Sequence, residues 1–216
     1  MRLSLISLIY KGSSGLPLTT YLMGPVEVVY GGDASKTQQA DLASFVDASK
    51  SIHSNTGELT MNNDKGYCTI NAPKAQGVAA FFKNQRDFTL QDVTIHCDND
   101  YAAILAVSMD DKALKESGKV LVQVGTQSRP TGWQEVPFTI TQKDQPDVAG
   151  FKVANFGGPP WQIIQAQCQV TVNNPGLSKA TVLDMNGNAA GDVPLQKTAS
   201  GVSFKFPDKA MYVVLN

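Results

Sequence analysis

The chain is predicted to be all-β: an antiparallel β-sandwich domain followed by a smaller C-terminal antiparallel β-sandwich. Three observations predict it. Runs rich in Val, Ile, Thr, Tyr and Phe alternate apolar with polar residues. Gly, Pro, Asn or Asp bounds each run. The runs recur at about 8–12 residues, the spacing of a sandwich or barrel rather than of strand–helix–strand units.

The elements follow in order. Leu3 to Tyr10 alternates and reads as a strand. Val26 to Tyr30 lies between Gly24-Pro25 and Gly31-Gly32. Asp41 to Ser51 places Leu42, Phe45 and Val46 at helical spacing and predicts one short helix or turn. Glu58 to Met61 is a short strand, and Tyr67 to Ile70 follows an Asn-Asn-Asp-Lys-Gly turn. Val78 to Phe82, Phe88 to Leu90, Val93 to Cys97, Ala102 to Ser108 and Lys119 to Val124 continue the series, with one helical turn predicted at Asp111 to Ser117. Trp161 to Val172 reads as one long strand. Asn186-Gly187 marks a hairpin because both residues tolerate positive φ. Ala180 to Asp184, Gly191 to Leu195, Val202 to Phe206 and Met211 to Leu215 surround or follow it. A domain boundary is expected at about residues 128–150, which include Ser128-Arg129-Pro130-Thr131-Gly132 and Gln142-Lys143-Asp144-Gln145-Pro146 and beyond which the texture of the sequence changes. This gives domains at 1–146 and 147–216. The second, of roughly 70 residues, would be marginal alone and should pack on the first.

Composition narrows the function. Hydrophobic residues are 42% and charged residues 17%, below the roughly 25% of an ordinary soluble domain. Net charge is −1, and Lys and Arg are scattered singly, so neither nucleic acid nor an anionic membrane surface is an expected partner. No run of 18 apolar residues is present. The first ten residues lack the sustained apolar core and cleavage site of a signal peptide, and the chain is expected to start inside a longer protein. The three cysteines, Cys68, Cys97 and Cys168, fit no zinc spacing. Cys68 and Cys97 could meet across strands; buried free thiols are the simpler reading.

A glycosidase needs two facing carboxylates. Glu27, Glu58, Asp98, Asp100, Asp110, Asp111, Glu116, Glu135 and Asp184 are available, but most occupy turn contexts, where Asp bonds nearby backbone amides. No catalytic residue is assigned. Asp98 and Asp100 offer oxygen ligands for a structural calcium ion, although the EF-hand pattern is absent; no other cofactor is expected. His53 and His96 lie in no nucleophile motif. Sugar rings stack on exposed aromatic faces. Trp133 and Trp161 stand beside loop-forming Gly and Pro residues, where a binding aromatic is usually placed, with Tyr101, Tyr30 and Tyr67 as weaker candidates. The competing role for both tryptophans is to plug a seam between domains.

Four stretches stand out together: Thr56 to Thr60, Gly66 to Gly77, Val107 to Leu114 with Ser117 to Gly125, and Ala180 to Gly187 with Tyr212 to Leu215. They resemble the non-catalytic C-terminal β-rich regions of large bacterial glycoside hydrolase-like proteins. In those regions the third segment usually reads Ser-Leu-Asp-Gly-x-Pro-Leu; Met109, Asp111 and Ala113 depart from it here. The resemblance covers about residue 24 to the end and implies a place in an enzyme rather than an activity. Its acid and nucleophile carboxylates would lie in an upstream catalytic domain, and the protein would be secreted, to the periplasm or beyond the cell. The expected role is an accessory region that supports that domain and holds a polysaccharide or oligosaccharide. The alternatives are a small β-sandwich glycan hydrolase or lyase, and a protein-interaction or assembly domain with an exposed β-edge.

Overall fold

The computed structural model describes residues 19–27, 30–33, 35, 40–141 and 146–216. The expected strand at Leu3 to Tyr10, the centre of the one at Val26 to Tyr30 and the expected turn at 142–145 lie outside the described residues. A single-turn helix, α1 (Thr20–Met23), comes first. The helical signal after Asp41 gives a 3-10 turn, Leu42–Phe45, whose first free amide, Ala43 N–H, is accepted by the Asp41 carboxylate at 3.1 Å.

The chain divides into two compact units. One ends at Gly125 and resumes at Ala166; the other is Thr126–Gln165. The first unit contains β1 (Ile52–His53), β2 (Leu59–Asn62), β3 (Tyr67–Ala72), β4 (Ala75–Ala80), β5 (Asp87–Thr89), β6 (Val93–Cys97), β7 (Ala102–Ser108) and β8 (Val120–Gly125). The second contains β9 (Ser128–Thr131), β10 (Gln134–Ile140), β11 (Val148–Asn155) and β12 (Gly158–Ile163). The first then resumes with β13 (Cys168–Val172), β14 (Ala180–Leu183), β15 (Ala189–Asp192), β16 (Gln196–Lys197), β17 (Val202–Lys205) and β18 (Tyr212–Leu215).

The larger unit is a sandwich of two antiparallel sheets. One has nine strands in the order β1-β2-β3-β4-β7-β8-β18-β14-β15, and the other five in the order β16-β17-β13-β6-β5. Period-2 patterning builds the core between them. Side chains on a strand alternate between its two faces, and β6, β8 and β13 bury every second residue. Val93, Ile95, Val120, Val122, Val170 and Val172 are fully buried in one cluster with Phe82, Phe204, Leu114 and Leu215. Burial of each such side chain contributes about 1.5–3 kcal/mol.

Local chemistry sets the turns. Between β2 and β3, Gly66 has φ 72° and Asn62 Oδ1 accepts the Lys65 N–H at 2.8 Å. Between β14 and β15, Gly187 has φ 85°, as the Asn-Gly signal predicts. The turn expected at Asp111 to Ser117 is present, with Ser117 N–H bonded to Ala113 O at 2.8 Å.

Three sequence expectations are corrected. The C-terminal strands form no second sandwich: β18 inserts between β8 and β14, while β13 pairs with β6 and β17. A core enclosed by about 50 residues alone would be marginal, and the apolar faces of these strands instead complete sheets begun by the N-terminal strands. The region of the expected boundary, 128–150, carries β9, β10 and the start of β11, and the two compact units part instead at 125/126 and 165/166. The long strand from Trp161 to Val172 is two strands: β12 ends at Ile163 in the smaller unit and β13 begins at Cys168 in the sandwich.

Among the described residues no helix is long and apolar enough to cross a membrane.

Candidate functional site

The smaller unit consists of two two-stranded ribbons. In one, β9 pairs with β12 so that Pro130 stands opposite Trp161 and Arg129 opposite Gln162. In the other, β10 pairs with β11. The sequence closes the first ribbon with side-chain and turn contacts. Thr131 Oγ1 donates to Pro160 O at 2.6 Å, Thr126 Oγ1 donates to Ile164 O, and Gly132 and Gly157 take φ of 81° and 65°.

The two tryptophans have different surroundings. Trp133 is half-buried. Its Nε1 donates to Glu135 Oε1 at 2.7 Å, the Phe156 ring meets it edge-on at 5.8 Å, and the Arg129 guanidinium lies 5.2 Å from its ring centre. Arg129 also pairs with Glu135 at 3.4 Å. A cation over an aromatic face is attracted by the ring quadrupole, so that face of Trp133 is occupied by the protein itself. Trp161 is 65% exposed, and its indole is the one available for stacking. Tyr101 belongs to the sandwich unit, where it packs against Phe81 at 5.3 Å. The structure therefore brings Trp133 and Trp161 into one unit and leaves Tyr101 in the other. Arg129 and Phe156 are the residues that sequence reasoning overlooks. The aromatic flanked by Asn155 and Gly157 in a strand-to-strand turn is the signal for Phe156; nothing in sequence spacing ties Arg129 to the Trp133 ring.

The ribbon of β10 and β11 carries exposed apolar side chains on both faces. Phe138 stands opposite Gly150 and Pro137 opposite Phe151, so Phe138 and Phe151 project to opposite sides. Phe151 is 70% exposed, and Val136 and Phe138 are exposed as well. A two-stranded ribbon is at best marginal in water by itself.

The carboxylates resolve into turn chemistry. Asp110 accepts from Ser117 Oγ at 2.7 Å, Gly118 N–H at 2.7 Å and Ser108 Oγ at 2.9 Å. Those bonds, that of Ser117 foremost, hold its carboxyl well below the usual carboxylate range. Asp184 accepts from the Asn188 and Asn186 amides, which lowers it likewise. A general acid needs the opposite shift. Asp111 pairs with Lys74. Asp98 pairs with Arg86 Nη1 at 2.8 Å and lies 3.5 Å from His96 Nε2, while His96 Nδ1 meets Asp87 at 2.8 Å. Asp98 thus faces the Arg86 guanidinium and the His96 ring, and Asp100 is an exposed neighbour. Among the described residues no group of three or more His, Cys, Asp or Glu is placed to hold a metal ion. His53 bridges Asp47 at 3.0 Å and Thr60 Oγ1 at 3.1 Å; with bonds from Ser49 and Ser51 this holds Asp47 well below its usual range.

The outer face of the nine-stranded sheet carries an open apolar groove lined by Cys68, Ile70, Ala79, Leu105, Gln123 and Tyr212. Cys68 stands opposite Ala79, on the side away from core residues Val78 and Ala80. Cys97 faces the core from the other sheet. A meeting of Cys68 with Cys97 is thereby excluded.

Comparison with family models, with curated protein sequences and with solved structures finds no match.

Proposed function

We propose that the chain is a non-catalytic accessory region of a secreted carbohydrate-active enzyme, which supports the neighbouring catalytic domain and contacts a polysaccharide at Trp161. The observation that carries this reading is the contrast between the two tryptophans. Trp133 is used internally by Arg129, Glu135 and Phe156, whereas Trp161 leaves most of a large apolar ring in water. Such a ring matches the apolar C–H face of a sugar. An all-β sandwich suits a support role, as does a ribbon with exposed apolar side chains on both faces. The segments that resemble glycoside hydrolase C-terminal regions, Gly66 to Gly77 and Val107 to Gly125, cover β3 with the first half of β4, and the end of β7 with the turn after it and β8.

The test is electrophoresis of the chain through gels containing xylan, β-glucan, mannan, pectin or a cellulose derivative, with a reducing-sugar assay beside it. Retardation by at least one polymer is expected, without sugar release. It should be lost in Trp161→Ala at unchanged thermal midpoint. Sugar release that disappears on replacing one acidic residue would make the chain a hydrolase or lyase. Retardation that survives Trp161→Ala would remove that residue from the site.

A second reading, an assembly domain, is favoured by exposed Phe138 and Phe151 on the β10–β11 ribbon. Concentration-dependent association in light scattering, abolished by Phe151→Ser, would support it over polysaccharide contact.

A further inference from the structure

Cys97 and Cys168 are direct partners in the register of β6 and β13. Both occupy inward positions of alternating strands and belong to the same core cluster, with Cys97 fully buried and Cys168 nearly so. Their backbone bonds define the pairing type. Cys97 N–H bonds away from β13, to Arg86 O at 3.1 Å, and Cys168 O bonds away from β6, accepting Phe206 N–H at 2.9 Å. The next pair, Asp98 N–H to Gln167 O at 2.8 Å, carries the ladder bond. The two cysteines therefore stand at a non-hydrogen-bonded site, where facing Cα atoms approach to about 4.5 Å and side chains are closest. A disulfide spans Cα separations of roughly 4.4–6.8 Å.

We propose that Cys97 and Cys168 are a disulfide-forming pair, joined across β6 and β13 by exchange with a small-molecule or enzyme disulfide as the sandwich folds. One cysteine thiolate attacks a sulfur of the external disulfide, giving a mixed disulfide and one released thiolate. The second cysteine thiolate attacks the protein sulfur of that mixed disulfide and expels the other thiolate. Two protein thiols are oxidised, one external disulfide is reduced to two thiols, and the two protons lost by the cysteines pass to the released thiolates. Burial, with Cys97 alongside, pushes the Cys168 thiol up to about 12. Exchange needs the thiolate, so the reaction belongs to the stage before the core closes, and the finished bond is shielded from reductants. The bond would close a loop containing β7, β8 and the whole Thr126–Gln165 unit, and would tie together the middle strands of the five-stranded sheet. Cys68 lies on the outer face of the other sheet and takes no part.

The experiment refolds the full chain from denaturant in oxidised and reduced glutathione, in wild type and in Cys68→Ser, then counts thiols in denaturant and maps disulfide-linked peptides. The expected result is a peptide joining Cys97 to Cys168 in both proteins, with no free thiol left in Cys68→Ser and Cys68 alone left free in wild type. The oxidised form should melt roughly 10 °C above the reduced form, as a long closed loop implies for a chain of this size. Free Cys97 and Cys168 after oxidative refolding, glutathione adducts in place of the bridge, or linkage through Cys68 would each overturn the proposal.

Discussion

Gln76 and Asp92 grip each other reciprocally in the core: Gln76 Nε2 donates to Asp92 Oδ2 at 2.9 Å, and Gln76 Oε1 accepts the Asp92 backbone N–H at 2.7 Å. Gln76 is fully buried on β4 of the large sheet, and Asp92 nearly so in the turn between β5 and β6 of the small one. The pair links the two layers. The Asp92 carbonyl also accepts Asn173 N–H at 2.8 Å from the end of β13.

Gln76→Leu keeps the volume but leaves a buried carboxylate and a buried amide without their partner. The expected loss is about 2–4 kcal/mol, since an orphaned buried polar group costs about 1–3 kcal/mol and a charged one more. Urea unfolding measures it. A change below about 0.5 kcal/mol would mean that solvent reaches Asp92 and replaces the amide.

Asn174 is nearly buried and donates through Nδ2 to Leu114 O and Ser117 O, both at 2.8 Å, while its Oδ1 accepts Gly176 N–H at 2.9 Å. It fastens the single turn after β7 to the connection between β13 and β14. Asn174→Asp replaces the donor with an oxygen facing two carbonyls. A cost of about 2–3 kcal/mol is expected, with faster amide exchange in residues 110–118.

Gly77 sits on β4 where a Cβ would strike the Ile104 carbonyl and the Leu105 backbone of β7. Gly77→Ala should therefore cost at least ~2 kcal/mol through strand separation, measured as a lowered denaturation midpoint. Gly187, whose added Cβ would meet nothing, gives the comparison: Gly187→Ala strains only the turn and should cost about 1 kcal/mol.

Asp110, Asp184 and Asp47 are all lowered below their ordinary values by hydrogen bonds. The folded state holds their protons less tightly than the unfolded chain, whose Asp titrates near about 3.9. Their contribution to stability is complete above that value and is lost as pH falls below about 4 toward the lower folded-state values. Thermal midpoints measured from pH 7 to pH 2 should fall on the acid side, and Asp110→Asn should make that fall shallower. An unchanged acid limb would mean that Asp110 exchanges its bonds for water at no cost.

Most strands were legible because one face of each is buried, and burial on one face imposes a two-residue period that the chain itself carries. Val93 to Cys97 is β6 to the residue, and Asn186-Gly187 marks its hairpin by the backbone region those residues tolerate. The turn roles of Asp110 and Asp184 were legible for the same local reason. Trp133 and Trp161 were legible as a pair of loop-associated aromatics, but not as one occupied ring and one free ring. That distinction depends on Arg129 and Phe156, which reach Trp133 from elsewhere in the ribbons.

By itself, then, the sequence determined the all-β class, most of the strands of the sandwich and the turn chemistry, all of which rest on neighbours within a few residues, whereas the strands of 126–165 were missed or misjoined. Tertiary structure alone decided that β13, β14, β17 and β18 complete the first sandwich, that 126–165 is a separate unit, and that Cys97 stands opposite Cys168 rather than Cys68. The physical reason is that periodicity states which face of a strand is buried and says nothing about which strand lies beside it. Pairing is chosen by how the whole set of apolar faces closes against water.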